Sequence, residues 1–167
     1  TQESFEFQWR ELPKSRHMLS DPVFKEKVTE IICENTGLPA EWFKGKRVLD
    51  VACGQGRWSY GLRKLGAEVV AFDGSASGVE RTRAACEEVG GVEVTQRNLL
   101  EDLRLEPTFD LVHAFGCLHH TGNTHFAFEN VMKAVKPGGY LFLMVYVEPE
   151  EAGSYAYYNE VDSLHRK

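Results

Sequence analysis

Two carboxylates, a pair of glycines and a pair of histidines are the residues of this chain whose spacing suggests chemistry. Asp50 sits in one short apolar run and Asp73 closes the next, with Gly54 and Gly56 between them. His119 and His120 stand side by side further along. Glycines let the backbone take positive φ and let a ligand approach the main chain. An acid at the tip of a strand, about 20 residues past a glycine loop, suits hydrogen bonding to ribose hydroxyls. A neutral imidazole takes a proton from a hydroxyl or amine near neutral pH. The histidine pair has two other readings: metal binding with His125, for which the spacing matches no strong signature, and plain packing with loop hydrogen bonds. Cys33, Cys53, Cys86 and Cys117 are scattered without metal-ligand or redox spacing. Cys53 and Cys117 have no evident charge partner and read as buried, inert thiols.

These residues need elements to hold them. Residues 48–51 are apolar and β-branched around one acid, the pattern of a buried parallel strand. A small-residue loop at 52–56 follows, then a helix from Arg57 to about Leu65. The helix start offers free N–H groups and a positive dipole end. Residues 68–72 make a second strand ending in Asp73. Loop and acid together suggest an adenosine-containing cofactor, either a dinucleotide or S-adenosylmethionine. A carboxylate at Asp50 opposes a pyrophosphate at the helix start, but suits the cationic methionine end of the second.

The rest of the chain alternates in the same way. A glycine- and serine-rich turn at 74–78 leads to a helix over 79–89, ended by Gly90 and Gly91. Residues 92–95 make a third strand and 109–114 a fourth. The loop at 115–120 leaves the carboxyl end of the fourth strand, where open α/β sheets bind ligands. A helix from about Asn123 to Val135 stops at Pro137-Gly138-Gly139, and a fifth strand spans 140–147. Upstream, Phe5, Phe7 and Trp9 alternate as in a short strand or extended arm. Asp21-Pro22 starts a helix that runs to about Asn35, where Thr36-Gly37 ends it. The pattern predicts an α/β fold, a Rossmann-like, doubly wound, mostly parallel sheet with helices on both faces. An N-terminal arm and helix occupy 1–45, the core 46–147, and a polar tail 148–167.

Asp50-Val51-Ala52-Cys53-Gly54-Gln55-Gly56 resembles the first motif of class I S-adenosylmethionine-dependent methyltransferases, with Ala52 where a first glycine usually stands. The resemblance continues through Asp73, Phe109-Asp110-Leu111-Val112 and Val135-Lys136-Pro137-Gly138-Gly139-Tyr140-Leu141, in the family's order, over residues 46–147. It looks closest to the small-molecule methyltransferase subgroup. It implies S-adenosylmethionine as cofactor, S-adenosylhomocysteine as product and a small-molecule methyl acceptor. Ala52, Cys53, Gly54 and Gly56 would form the close-approach loop. Asp50 would serve the methionine end, directly or through that loop, and Asp73 the ribose. Gly74, Ser75, Asn98 and Leu99 would flank the adenine, with Asn98 accepting from its amine or acting only as a turn residue. Ala114 and Phe115 would line the floor near the sulfur, and His119 would act as general base. Trp9 or Arg10 would fold over the cofactor or pack on the surface. The family's sheet carries two strands beyond the five read here, so C-terminal strands are expected beyond this sequence.

Composition narrows the partners. The 167 residues carry a net charge of -6, with 43% hydrophobic and 26% charged residues, an ordinary globular balance. No basic cluster points to nucleic acid, no stretch approaches a membrane span, and no signal-peptide pattern opens the chain. Unpaired, scattered cysteines fit a reduced, cytoplasmic setting. Two rival readings stand: a nicotinamide-dependent oxidoreductase, and a non-catalytic domain that keeps a cofactor pocket as a binding partner.

Overall fold

The structure is a computed structural model that describes residues 2–11 and 17–146. The polar tail, and Val147 at the expected end of the fifth strand, lie outside the described residues. Five parallel strands form one sheet in the order β3-β2-β1-β4-β5: β1 (Arg47–Val51), β2 (Glu68–Asp73), β3 (Val92–Gln96), β4 (Phe109–Phe115) and β5 (Val135–Met144). Chain order reverses between β1 and β4, which opens a crevice above their carboxyl ends. The helices are α1 (Gln2–Glu11), α2 (Pro22–Thr36), α3 (Arg57–Lys64), α4 (Ala76–Cys86) and α5 (Thr124–Met132).

The period of two along β1 divides its side chains between two cores. Leu49 and Val51 pack with Val112, Ala127 and Val131, under α5. Val48 packs with Val28, Ile32, Trp58 and Leu62, under α2 and α3. Burial on both faces explains why β1 and β4 read as continuous apolar runs. At the start of the sheet, Asp110 accepts from the Arg47 N–H (2.9 Å) and from Lys136. Burial alone would raise the Asp110 pKa, but these bonds hold it below the usual value.

Several boundaries depart from the sequence expectations. Residues 2–11 form a helix, not an extended arm. Phe5 and Trp9 are four apart, so in α1 they share one face, with ring centroids 6.3 Å apart, while Phe7 is 60% exposed. Helix α4 starts three residues before the expected Val79, because Ser75 caps it by accepting from the Gly78 N–H. Helix α5 ends at Met132, and the Pro-Gly-Gly turn sits inside β5 instead of before it. Val135 pairs with Phe109 and Tyr140 with Leu111, so the turn is a bulge in the ladder. Gly139 is required there, since a Cβ would lie 3.0 Å from the Phe109 carbonyl oxygen.

Candidate functional site

The glycine loop turns sharply because three successive needs coincide in it. Ala52 takes φ 53°, a left-handed conformation that costs a side-chain-bearing residue about 1–2 kcal/mol. Gly54 has φ 54°, and a Cβ there would lie 3.0 Å from the Trp9 indole of α1, which covers it. Gly56 has φ 81° and lies so close to α4 that a Cβ would sit 2.8 Å from the Thr82 Cα. Gly56 therefore seats α3 against α4 and does not line the cavity above.

Asp73 ties two loops together at the tip of β2. Its Oδ2 accepts from the Gly54 N–H (2.9 Å), and its Oδ1 accepts from the Ser75 N–H (2.9 Å) and hydroxyl (2.6 Å). It is 6% exposed, and it faces the cavity together with Gly74 and Ser75.

Asp50 does something else. The strand period puts it on the face of Val48, beneath α3, where it is 1% exposed. Its Oδ2 accepts from the Ser59 hydroxyl (2.5 Å) and its Oδ1 from His113 Nδ1 on β4 (3.2 Å). Direct contact between Asp50 and a ligand is not what this geometry provides. Asp50 instead clamps β1, α3 and β4 below the loop.

Above the crevice lies a cavity of about 470 Å³, well sized for a small ligand. Ala52, Cys53 and Gly54 form one wall, and Asp73, Gly74, Ser75, Asn98 and Leu99 a second. Phe115, Gly116, Cys117, His120 and Thr121 form a third. Helix α1 closes the top with Phe5, Gln8 and Trp9. Arg10 points elsewhere and pairs with Glu11 (2.8 Å). The Asn98 amide oxygen accepts from the Leu100 N–H (3.0 Å), so the turn role of Asn98 is present even though it lines the cavity. Ala114 is fully buried in the core beneath α5 and does not reach the cavity. His119 does not line it either. Both His119 ring nitrogens are buried without a described partner, and the ring lies 4.0 Å from His120 and 4.3 Å from Tyr146, centroid to centroid. Of the two, His120 lines the cavity, while His119 packs against Tyr146.

Burial sets the electrostatics. It lowers the pKa of His119, with a further lowering from His120, and it lowers that of His120. Both rings are therefore neutral near pH 7. Burial also raises the Cys53 thiol well above its ordinary value and pushes Cys117 up to about 12, so both are poor nucleophiles. His17 fastens the segment after α1 to the glycine loop. Its Nε2 donates to the Gln55 carbonyl (2.7 Å) while its Nδ1 accepts from the Leu19 N–H (3.1 Å), which requires the neutral ring. His125 pairs with Glu129 on α5 (3.4 Å). Among the described residues no three potential metal ligands gather, and no helix is long and apolar enough to cross a membrane.

Arg57, Trp58 and Met18, which no motif marks, also line the cavity beside Phe115. Arg57 and Trp58 follow directly on the glycine loop, and that adjacency was the available signal.

Known proteins match this arrangement. A family model described as a methyltransferase domain matches residues 48–139. The ubiquinone biosynthesis O-methyltransferase of Sinorhizobium fredii is 30% identical over 130 residues, covering 74% of this chain and 51% of that protein. A candidate methyltransferase from Bacillus halodurans, 26% identical, superposes with a TM-score of 0.67 over 80% of this chain and 57% of that one. Coclaurine N-methyltransferase bound to N-methylheliamine and S-adenosylhomocysteine has a TM-score of 0.58 at 19% identity, over 70% of this chain and 34% of its own. The chain spans about half the length of the curated relatives it matches.

Proposed function

The chain belongs to the methyltransferase-domain family, and from that premise we propose that it transfers a methyl group from S-adenosylmethionine to a small-molecule acceptor. The observation that carries the reading is Asp73. It stands at the tip of β2, inside the cavity, and is tied to the glycine loop through the Gly54 N–H. An acid held there suits ribose hydroxyls, and the aromatic roof of Phe5 and Trp9 suits a flat base or a sulfonium.

When bound, S-adenosylmethionine supplies an activated methyl carbon. The protein's own task is then positioning and exclusion of water, which in ideal geometry contribute roughly 7–11 kcal/mol. Asp73, Gly74 and Ser75 would hold the ribose and adenine, with Asn98 and Leu99 along the base. Ala52, Cys53 and Gly54 would bring the main chain close to the methionine end, and Asp50 would keep that loop in place from below. Phe115 would floor the reacting centre, and α1 would shield it from water. His120 takes the role expected of His119. It reaches the cavity, and burial keeps it neutral, so it would accept a proton leaving a hydroxyl or amine.

The test is a transfer assay with methyl-labelled cofactor over a pool of small metabolites. Label appearing in an acceptor, with one S-adenosylhomocysteine formed per methyl, is the expected outcome. Tight cofactor binding with no transfer to any acceptor would leave only the non-catalytic reading.

A further inference from the structure

At the β4 side of the cavity stands a cation with little to satisfy it. Arg57, the first residue of α3, lines the cavity with its guanidinium 5.0 Å from the Trp58 ring centroid and 5.6 Å from that of Phe115. Its one described hydrogen-bond acceptor is the Met18 thioether sulfur (2.8 Å), a weak one. Among the described residues no carboxylate stands within ion-pair distance of it. Asp50 and, more weakly, Tyr146 favour its charge, but the Asp50 oxygens are taken up by Ser59 and His113. Burial lowers the Arg57 pKa, the mark of a cation drawn out of water. A desolvated charge without a counter-ion is costly, and arginine's planar fork matches a carboxylate bidentately. Beside it, Trp58 lines the same cavity, its ring centroid 4.8 Å from that of Phe115.

We propose that Arg57 is the receptor for the carboxylate of a planar aromatic acid bound as methyl acceptor at the Phe115 side of the cavity. The proposal rests on reading the cavity as a methyltransferase pocket. It adds the acceptor's chemical class. The guanidinium fork supplies what the acid's oxygens need, and the rings of Trp58, Phe115 and His120 give a flat ring apolar and edge-on surfaces to pack against. The guanidinium lies 5.6 Å from the Phe115 ring centroid, on the side of the reacting centre, while its backbone directly follows the glycine loop, so the cofactor's own carboxylate is the competing source that the titration separates. Asp73, Ser75 and Leu99 line the opposite, β2–β3 side of the cavity. Bound acid would displace Met18, a flexible side chain that yields readily.

The probes are benzoate and its neutral isostere benzamide. Each is titrated by NMR into wild type, Arg57→Met and Arg57→Lys, with and without saturating S-adenosylhomocysteine. The wild type is expected to bind benzoate at least tenfold more tightly than benzamide. Arg57→Met should erase that preference, Arg57→Lys should keep part of it, and S-adenosylhomocysteine affinity should stay within about twofold in both. Three results would overturn the proposal: no preference in wild type, a preference that survives Arg57→Met, or a tenfold loss of S-adenosylhomocysteine affinity in Arg57→Met. The last would assign the guanidinium to the cofactor's own carboxylate. Should Arg57→Met not fold, the same comparisons in Arg57→Lys decide, since a point charge keeps attraction but loses the bidentate fork. Failure of wild type to bind S-adenosylhomocysteine, with the benzoate preference intact, would refute the cofactor reading while supporting the anion receptor.

Discussion

The tip of β2 and the loop after β4 border one cavity, yet they treat their polar groups in opposite ways. At the β2 tip, both Asp73 oxygens, the Ser75 hydroxyl and the Gly54 N–H are engaged with one another before any ligand arrives. Around the β4 loop, both His119 nitrogens, His113 Nε2 and Trp58 Nε1 have no described partner, and Arg57 has only a thioether. The first region is preorganised, and it costs a ligand little to be received there. The second is left incomplete by the protein: His113 and His119 stand outside the cavity lining, while Arg57 lines it and would be completed by what binds. That division suits a pocket with one invariable ligand and one that defines the particular reaction.

The largest expected effect lies on the incomplete side. For a hydroxyl acceptor, His120→Ala should lower turnover by roughly 10²–10⁴ with little change in cofactor affinity. His119→Ala should cost less than tenfold in turnover and instead lower Tm. If His119→Ala proves the more damaging to turnover, the inward-facing histidine has been misassigned and the comparison breaks.

Next comes the clamp beneath the loop. Asp50→Ala would leave His113 and Ser59 without their shared acceptor. Leaving buried donors without their acceptor costs about 1–3 kcal/mol, or a fall of roughly 2–12 °C in Tm for a domain of this size. Any folded Asp50→Ala protein should bind S-adenosylhomocysteine within a few fold of wild type. A stable variant with lost affinity would return Asp50 to direct ligand contact.

A smaller effect follows from pH. Burial lowers the pKa of His17, His119 and His120 in the folded protein. The unfolded chain therefore takes up protons first as pH falls below about 6.5. Stability should be full above that pH and decline below it, so Tm should be lower at pH 5.5 than at pH 7.5. His17→Gln should flatten part of this slope. An unchanged Tm across the range would contradict the burial of these rings.

The smallest effect concerns Ala52. Ala52→Gly relieves a left-handed residue but adds freedom to the unfolded chain, for a net gain of at most about 1 kcal/mol. A Tm rise of a few degrees by scanning calorimetry is expected, and a fall would show that the Cβ is needed for packing.

Much of this was legible in the residues. The strands announce themselves because β1 and β4 are buried on both faces, and Asp73 is identified by its place at a strand tip after a glycine loop. What was hidden depended on direction. Alternating aromatics fit an extended arm, yet Phe5 and Trp9 also share a helical face, and only packing over Gly54 decides between them. Asp50 looked like a ligand contact because it precedes the loop, but the pleat sends it beneath α3. His119 and His120 are equivalent in sequence, and a single 3-10 turn separates them. Arg57 carried no family signal, and its meaning comes from the absence of a described counter-ion.

The central claim is that the Asp73 side of the cavity receives S-adenosylmethionine. Isothermal titration of S-adenosylhomocysteine into wild type and Asp73→Ala, with a nicotinamide dinucleotide as comparison, tests it most directly. A charge-assisted hydrogen bond contributes about 1.5–3 kcal/mol, so affinity should fall at least tenfold in the variant. One site per chain in wild type, and no dinucleotide binding, complete the expected result. Tighter binding of the dinucleotide, or unchanged S-adenosylhomocysteine affinity in a folded Asp73→Ala protein, would contradict the account.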